Sequence, residues 1–312
     1  MTDALPIIDL TPLGEGEAGL ARVAAAIGAA CRDVGFFYVV NHGVPRTLMD
    51  EAFATSRRFF ALPLADKQAI AIDTVGGNRG YSALLREALD PTQGPDLKEA
   101  FNVGLDLASD DPELLAGKPF RALNAWPDVP GFRATLLAYF EACSRLAGRL
   151  HHAFARDLGL RLDIFDDKFD RPMATLRLLR YPAPAEGLGV EIGAGAHTDY
   201  GNLTLLATDD AGGLQVRRRD GRWIDAPPLA GAYVVNIGDC LMRWTNDVYV
   251  STPHRVVNRR PRERHSIAFF FDPNPDALVA AIESCVGDGT PKYPPILAAD
   301  YLKFRLDTSV RR

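Results

Sequence analysis

The chain has 312 residues, 47% hydrophobic and 24% charged, the proportions of a soluble globular protein with room for one large domain or two ordinary ones. Its formal net charge of −5 gives no electrostatic case for nucleic acid or an anionic membrane as partner. Four scattered cysteines without a C-x-x-C pair, no leader sequence and no run near the ~18 apolar residues of a membrane span read together as a cytoplasmic protein with reduced thiols.

Residues 5–10 form a short apolar segment with Pro6 near its start, which fits an edge strand. A helix follows, its apolar residues Leu20, Val23, Ile27, Cys31 and Val34 stepping by three and four until Gly35 stops it. The run from Phe36 to Val40 is too short for a helix and rich in aromatic and β-branched residues, hence a buried strand. Pro45 opens the next helix, where its missing N–H costs nothing, and a short helix spans 63–72. Residues 76–82, with three glycines and Asn78, read as a loop without a regular element. A strand is expected over 98–105 and an irregular surface stretch over 106–127. The longest helix covers 130–158, with the stripe Phe132, Leu136, Phe140, Cys143, Ala147, Leu150, Phe154 and Leu158, and Gly159 ends it.

After Met173 the apolar period changes from about 3.6 to 2. Short segments at 174–181, 196–199, 203–208, 213–216, 222–225, 232–237, 254–258 and 265–271 are separated by Gly, Pro or Asp-Gly punctuation. That spacing predicts two sheets folded on themselves. Arg217-Arg218-Arg219 leading into Asp220-Gly221 reads as a solvated hairpin. The tail has a Pro-rich bend and an amphipathic helix within 291–312. The expected fold class is α+β with a mainly β core, a double-stranded β-helix (jelly roll) carrying an N-terminal helical layer. One domain is expected over 1–312: a largely helical 1–172, a jelly-roll core with the site over 173–275, and a tail over 276–312.

Six histidines make the search for a site tractable. His151 and His152 are adjacent on a helix and cannot converge on one ion. His42 sits in a turn, and His265 faces away from its neighbours Arg264 and Ser266. His197 and Asp199 are two apart in a strand-like segment, so they are expected to project from one face. His254 begins a later segment, 55 residues beyond Asp199 (254 − 199). Two imidazoles and a carboxylate make a facial triad for Fe(II) with open coordination positions. Zn(II) is the other candidate, but sites of that kind usually bring a nearby Glu base as in H-E-x-x-H, which this chain lacks. Arg264 and Ser266 share a strand face, and a guanidinium fork with a hydroxyl in an apolar pocket receives a carboxylate well. Tyr181 can add a phenolic donor. Arg259, Arg260 and Arg262 lie in a Pro-containing turn and read as solvated, whereas Arg264 enters an apolar strand where an unpartnered charge is costly. A partial dinucleotide loop, Gly187-Leu188-Gly189, fails because Ile192 stands where the third glycine belongs.

Several stretches, in order, resemble the isopenicillin N synthase-like group of Fe(II)/2-oxoglutarate-dependent oxygenases. They include Asp33 to Tyr38, Asn41-His42-Gly43-Val44-Pro45, Arg79-Gly80-Tyr81-Ser82, Leu97-Lys98-Glu99 and Arg180-Tyr181-Pro182. The series continues with His197-Thr198-Asp199-Tyr200-Gly201, Asn236-Ile237-Gly238-Asp239, Ser251 to Val256 and Arg264-His265-Ser266. The resemblance implies Fe(II) held by His197, Asp199 and His254. It implies 2-oxoglutarate held through its distal carboxylate by Arg264 and Ser266, with Tyr181 reaching the same cosubstrate, and O2 as the second cosubstrate. One departure is Leu179, where many plant members have Asn. The implied reaction oxidises a small molecule, by default through hydroxylation, with release of succinate and CO2. The resemblance also places Arg79, Tyr81, Arg86 and Phe101 near the pocket mouth as candidate substrate contacts; the arginines hint at an acidic substrate, and the tail helix is a candidate lid. Two rival readings stand beside this one: a related oxidase that needs no 2-oxoglutarate, and a catalytically silent metal-binding sensor. The sequence leaves substrate identity and oligomeric state open.

Overall fold

Short apolar runs of period two build two facing sheets, and the long period-3.6 stripes cover the outer face of the larger one. The computed structural model describes residues 4–90, 92, 94–183, 191–258 and 261–309. Its strands are β1 (Ile7–Asp9), β2 (Phe36–Val40), β3 (Gly80–Ser82), β4 (Glu99–Gly104), β5 (Thr175–Tyr181), β6 (Glu191–His197) and β7 (Leu203–Thr208). They continue with β8 (Leu214–Arg217), β9 (Trp223–Asp225), β10 (Tyr233–Ile237), β11 (His254–Asn258), β12 (Arg264–Phe271), β13 (Leu278–Val279) and β14 (Ile296–Leu297). The helices are α1 (Gly16–Asp33), α2 (Arg46–Phe60), α3 (Leu64–Gln68), α4 (Ile72–Val75), α5 (Pro112–Leu115), α6 (Phe132–Asp157), α7 (Asp239–Trp244), α8 (Glu283–Val286) and α9 (Ala298–Ser309). An eight-stranded sheet runs β1-β2-β10-β7-β12-β5-β4-β3, and a four-stranded sheet runs β6-β11-β8-β9. The fold is the double-stranded β-helix expected from the sequence.

Strand alternation partitions the core. On β5, Leu176 and Leu178 face the helices, while Leu179 and Tyr181 face the second sheet and meet Ala194 and Val256 there. On β12, Ile267, Phe269 and Phe271 face the helices, and Ala268 and Phe270 the opposite side. Helix α6 packs against α1 and α2 and lies on β7 and β12. Its buried stripe includes Leu136, Phe140, Leu146, Leu150 and Phe154, and each such side chain contributes roughly 1.5–3 kcal/mol relative to exposure.

The N-terminal part does more than cover the jelly roll, because β1 and β2 extend one edge of the large sheet and β3 and β4 the other. The stretch 76–82 is not loop throughout. Its end forms β3, pairing Tyr81 with Phe101, and Gly80 (φ +93°) lies so close to Ile70 that a Cβ would stand 2.2 Å from the carbonyl oxygen. The helix expected over 63–72 breaks into α3 and α4 because Ala71 bridges to Tyr81. Within 106–127 one short helix forms, its first turn capped by the Asp111 carboxylate. The 217–222 hairpin joins β8 and β9. Residues 187–189 and Arg259–Arg260 lie outside the described residues.

The remaining histidines do local structural work. His42 bonds Gly231 O through Nε2 and accepts from the Val44 amide, and His152 meets Asp166 at the surface. His151 is buried among Phe154, Phe165, Phe169 and Phe271. Its Nδ1–H donates to Ala147 O while Nε2 accepts from the Asn202 amide, so the neutral ring is the satisfied one. Burial accordingly pulls its pKa down to about 4. An unfolded histidine titrates near 6.5, so this residue's contribution to stability is full above that pH and is lost as the pH falls toward 4. In urea titrations, the difference in unfolding free energy between pH 7 and pH 5 should therefore shrink by about 2 kcal/mol in a His151→Gln variant.

Candidate metal centre

His197 ends β6 and His254 begins β11, and the antiparallel register sets them directly opposite each other. Their rings lie 4.3 Å apart, with Phe36 edge-on to His254 at 5.1 Å. Each ring has one nitrogen turned to a backbone carbonyl: His197 Nδ1 to Gly195 O at 2.8 Å, His254 Nδ1 to Thr252 O at 3.3 Å. That fixes the tautomer and leaves both Nε2 lone pairs free. Burial and the neighbouring His254 lower the His197 pKa, so its ring is neutral.

Asp199 does not reach the site as strand alternation predicts, because β6 stops at His197 and Asp199 lies in the following turn. Other contacts aim it. Its Oδ2 accepts from Thr204 Oγ1 (2.5 Å) and Asn236 Nδ2 (2.7 Å), two residues paired across β7 and β10. Its backbone carbonyl accepts from the Asp239 amide at 2.8 Å. Gly238 makes room for that turn, since a Cβ there would lie 2.2 Å from Gly201 O. Oδ1 is left 3.7 Å from His197 Nε2 and 3.6 Å from His254 Nε2. Despite its burial, the two histidines and two hydrogen bonds keep the carboxylate pKa below its usual range. One donor atom from each residue lies within 4.8 Å of the others. Two imidazole nitrogens and one carboxylate oxygen, each with its residue's other polar atom already engaged, fit a divalent transition metal such as Fe(II). Thr204 and Asn236 are supporting residues that motif reading missed; single polar residues inside the apolar runs Leu203–Leu205 and Val235–Ile237 were the available signal.

Beside the triad, a cavity of about 190 Å³ is lined by Tyr181, Arg264, Ser266, Thr204, Leu206, Phe270 and others from both sheets. Arg264 is 2% exposed. Its Nε donates to Gly212 O (2.8 Å) and its Nη1 to Ser266 Oγ (3.0 Å), and it stacks 4.7 Å from the Tyr181 ring, its cross-strand partner. Among the described residues its Nη2 has no hydrogen-bond partner. A buried guanidinium with unused N–H groups has the chemistry to receive a carboxylate.

The candidate substrate contacts are placed elsewhere. Tyr81 and Phe101 pair on the helix-facing side of the β3–β4 hairpin. Phe101 packs on Phe59 and Phe132 at 4.5 and 5.3 Å, and the Tyr81 hydroxyl donates to Glu99 Oε2 at 2.6 Å. Arg79 is buried against the carbonyls of Asn78 and Phe120. None of the three lines the cavity. The reason is strand parity: on the segment entering and forming β4, Lys98 and Asn102 face the cavity, so Phe101 cannot. Arg86 does line it, and is paired with the exposed Asp73 carboxylate at 2.5 Å. Glu87, Lys98, Asn102 and Arg177 line it as well and were not anticipated. Helix α9 closes one side with Leu302 and Leu306. Its Arg305 reaches Asp239 and Thr198 and stacks on Tyr200 at 4.2 Å, tying the helix to the turn between the first two triad residues.

Comparison with known proteins agrees with this architecture. Residues 5–129 match the non-haem dioxygenase in morphine synthesis N-terminal family, and residues 173–273 the 2OG-Fe(II) oxygenase superfamily. The chain is 38% identical over 309 residues to the 2-oxoglutarate-Fe(II) type oxidoreductase hxnY of Emericella nidulans, covering 96% of this chain and 88% of that one. It is 36% identical to the homoarginine-6-hydroxylase 2-ODD-233 of Oryza sativa subsp. japonica, covering 96% and 95%. Among solved structures, a full-length Neurospora crassa protein in complex with alpha-KG and thymine superposes with a TM-score of 0.85 at 34% identity, covering 97% and 96%. The rival readings find no support in these relatives. The chain belongs to the 2OG-Fe(II) oxygenase superfamily and is an Fe(II)- and 2-oxoglutarate-dependent dioxygenase.

Proposed function

We propose that His197, Asp199 and His254 hold the Fe(II), that Arg264, Ser266 and Tyr181 hold the distal carboxylate of 2-oxoglutarate, and that the enzyme hydroxylates a small molecule bound in the same cavity. The single observation carrying this reading is the convergence of two Nε2 atoms and one carboxylate oxygen whose remaining polar atoms are all satisfied. When bound, the metal with its keto acid activates O2, the keto acid ending as succinate and CO2 as the substrate gains one oxygen atom. This chain's residues bind and orient. The Arg264 Nη2–H and the Tyr181 phenol receive the anionic end of the cosubstrate, and Thr204 and Asn236 keep Asp199 ionised and aimed. Leu206, Phe270, Leu302 and Leu306 keep water from the reacting atoms.

The rice relative is named for homoarginine and the Neurospora structure holds thymine, so the shared frame serves different small substrates. The N-terminal and jelly-roll parts act as one oxygenase unit in this proposal, supported by the four N-terminal strands that complete the large sheet. A cytoplasmic setting is supported by four free thiols. Among the described residues no helix is long and apolar enough to cross a membrane.

Succinate release in the presence of Fe(II), 2-oxoglutarate and O2 tests the reading. His254→Ala should lose it almost entirely, and Arg264→Gln should raise the KM for 2-oxoglutarate about tenfold or more, the scale of a lost charge-assisted hydrogen bond. An Arg264→Gln enzyme with the parent KM would remove the guanidinium from the cosubstrate site. Separately, Thr204→Val combined with Asn236→Leu should weaken Fe(II) binding about 10- to 100-fold in anaerobic titrations, because Asp199 loses both groups that aim it.

A further inference from the structure

Ten buried side-chain nitrogen and oxygen atoms among the described residues lack a hydrogen-bond partner, and three of these atoms belong to side chains lining the cavity. One is Arg264 Nη2, the atom assigned above to the cosubstrate. The other two are Arg177 Nε and Asn102 Oδ1. They come from residues paired directly across β4 and β5, so the side chains that carry this donor and this acceptor are neighbours among the residues lining the cavity. The Asn102 orientation is fixed by its own bonds: Nδ2 donates to Asn78 Oδ1 (3.0 Å) and to the Asn78 carbonyl (3.4 Å), leaving Oδ1 as the open acceptor. Arg177 is held by an ion pair to Glu87, which leaves its Nε–H unused.

The two lining cations Lys98 and Arg177 are each paired with carboxylates. Lys98 lies 2.8 Å from Asp96 and 3.3 Å from Glu87, and Glu87 also takes Arg177, giving two cations and two anions locked together. A charged ligand would have to displace one of these pairs, whereas a neutral ligand need only fill the two open hydrogen-bond positions. The position also suits a substrate: Arg177 is four residues from Tyr181 on β5, roughly 13 Å along the strand from the carboxylate anchor.

Resting on the oxygenase reading above, we propose that Arg177 and Asn102 select the substrate, and that it is a neutral molecule bearing a cis-amide group, as in a lactam or imide. Its carbonyl accepts from Arg177 Nε–H while its N–H donates to Asn102 Oδ1.

Binding is measured anaerobically on the enzyme loaded with Fe(II) and 2-oxoglutarate. The probes are 2-piperidone and glutarimide, their N-methyl derivatives, and cyclohexanecarboxylate. The N–H probes should bind about tenfold or more tightly than their N-methyl forms, since methylation leaves Asn102 Oδ1 unpaired. Asn102→Leu should abolish that discrimination, and Arg177→Lys should weaken both forms equally because both keep the carbonyl. Equal binding of N–H and N-methyl probes to the parent enzyme overturns the proposal, as does preference for the carboxylate or discrimination that survives in Asn102→Leu. The parent comparison decides alone should Asn102→Leu not fold. Failure of the parent enzyme to bind 2-oxoglutarate at all would strike the oxygenase reading, and this inference with it. Normal cosubstrate binding without amide discrimination strikes this inference only.

Discussion

The arrangement of the whole cavity depends on how one carboxylate is divided. Asp199 has two oxygens: Thr204 and Asn236 occupy one, and the other is left between two imidazole nitrogens. A carboxylate buried without such partners would take a proton and turn from ligand into donor. Here the two short hydrogen bonds set its rotation and the histidines favour its charge. The metal geometry is thus written partly into β7 and β10, strands that carry no metal-binding group themselves.

The same sheet solves a second problem, placing a permanent charge in an apolar core. Arg264 is tolerated because Gly212 O, Ser266 Oγ and the Tyr181 face take up three sides of the guanidinium, leaving Nη2 for a ligand. A buried cation without a carboxylate partner among the described residues is costly, and an anion that reached it would recover part of that cost. Lys98 and Arg177 are treated the opposite way, each closed off by carboxylates. Burial would lower the Lys98 pKa, but Glu87 and Asp96 more than offset it and the net direction is upward. One end of the cavity therefore has a cation without a carboxylate partner among the described residues, and the other has cations paired with carboxylates.

Much of this was legible in the sequence. β2, β7 and β11 occupy the stretches the apolar patterns mark, because each is a buried strand whose composition and period agree. His197, Asp199 and His254 could be singled out by residue type and order, yet the strand argument for Asp199 failed. Its position comes from a turn packed on Gly238, which no periodicity encodes. Tyr81 and Phe101 were misplaced for a related reason. Proximity in the chain to pocket residues says nothing about strand face until the register of β3 on β4 is known, and a one-residue change of parity sends a side chain to the opposite core. The sequence does not bring Arg177 to Lys98, because Glu87, which pairs with both, meets Arg177 only through the fold.

Parity also explains why one strand can define both ends of the cavity. On β5 the residues facing inward are Thr175, Arg177, Leu179 and Tyr181, and the register with β12 sets Tyr181 beside Arg264, Leu179 beside Ser266 and Arg177 beside Ala268. The distance from Tyr181 and Arg264 to Arg177 and Asn102 is then a number of strand steps, fixed by hydrogen bonds on both sides of β5. Leu179 lies between the two polar ends on the same face of β5. A slip of β5 by one residue would turn Tyr181 and Arg177 toward the helices together, so the cosubstrate site and the substrate wall stand or fall as a unit.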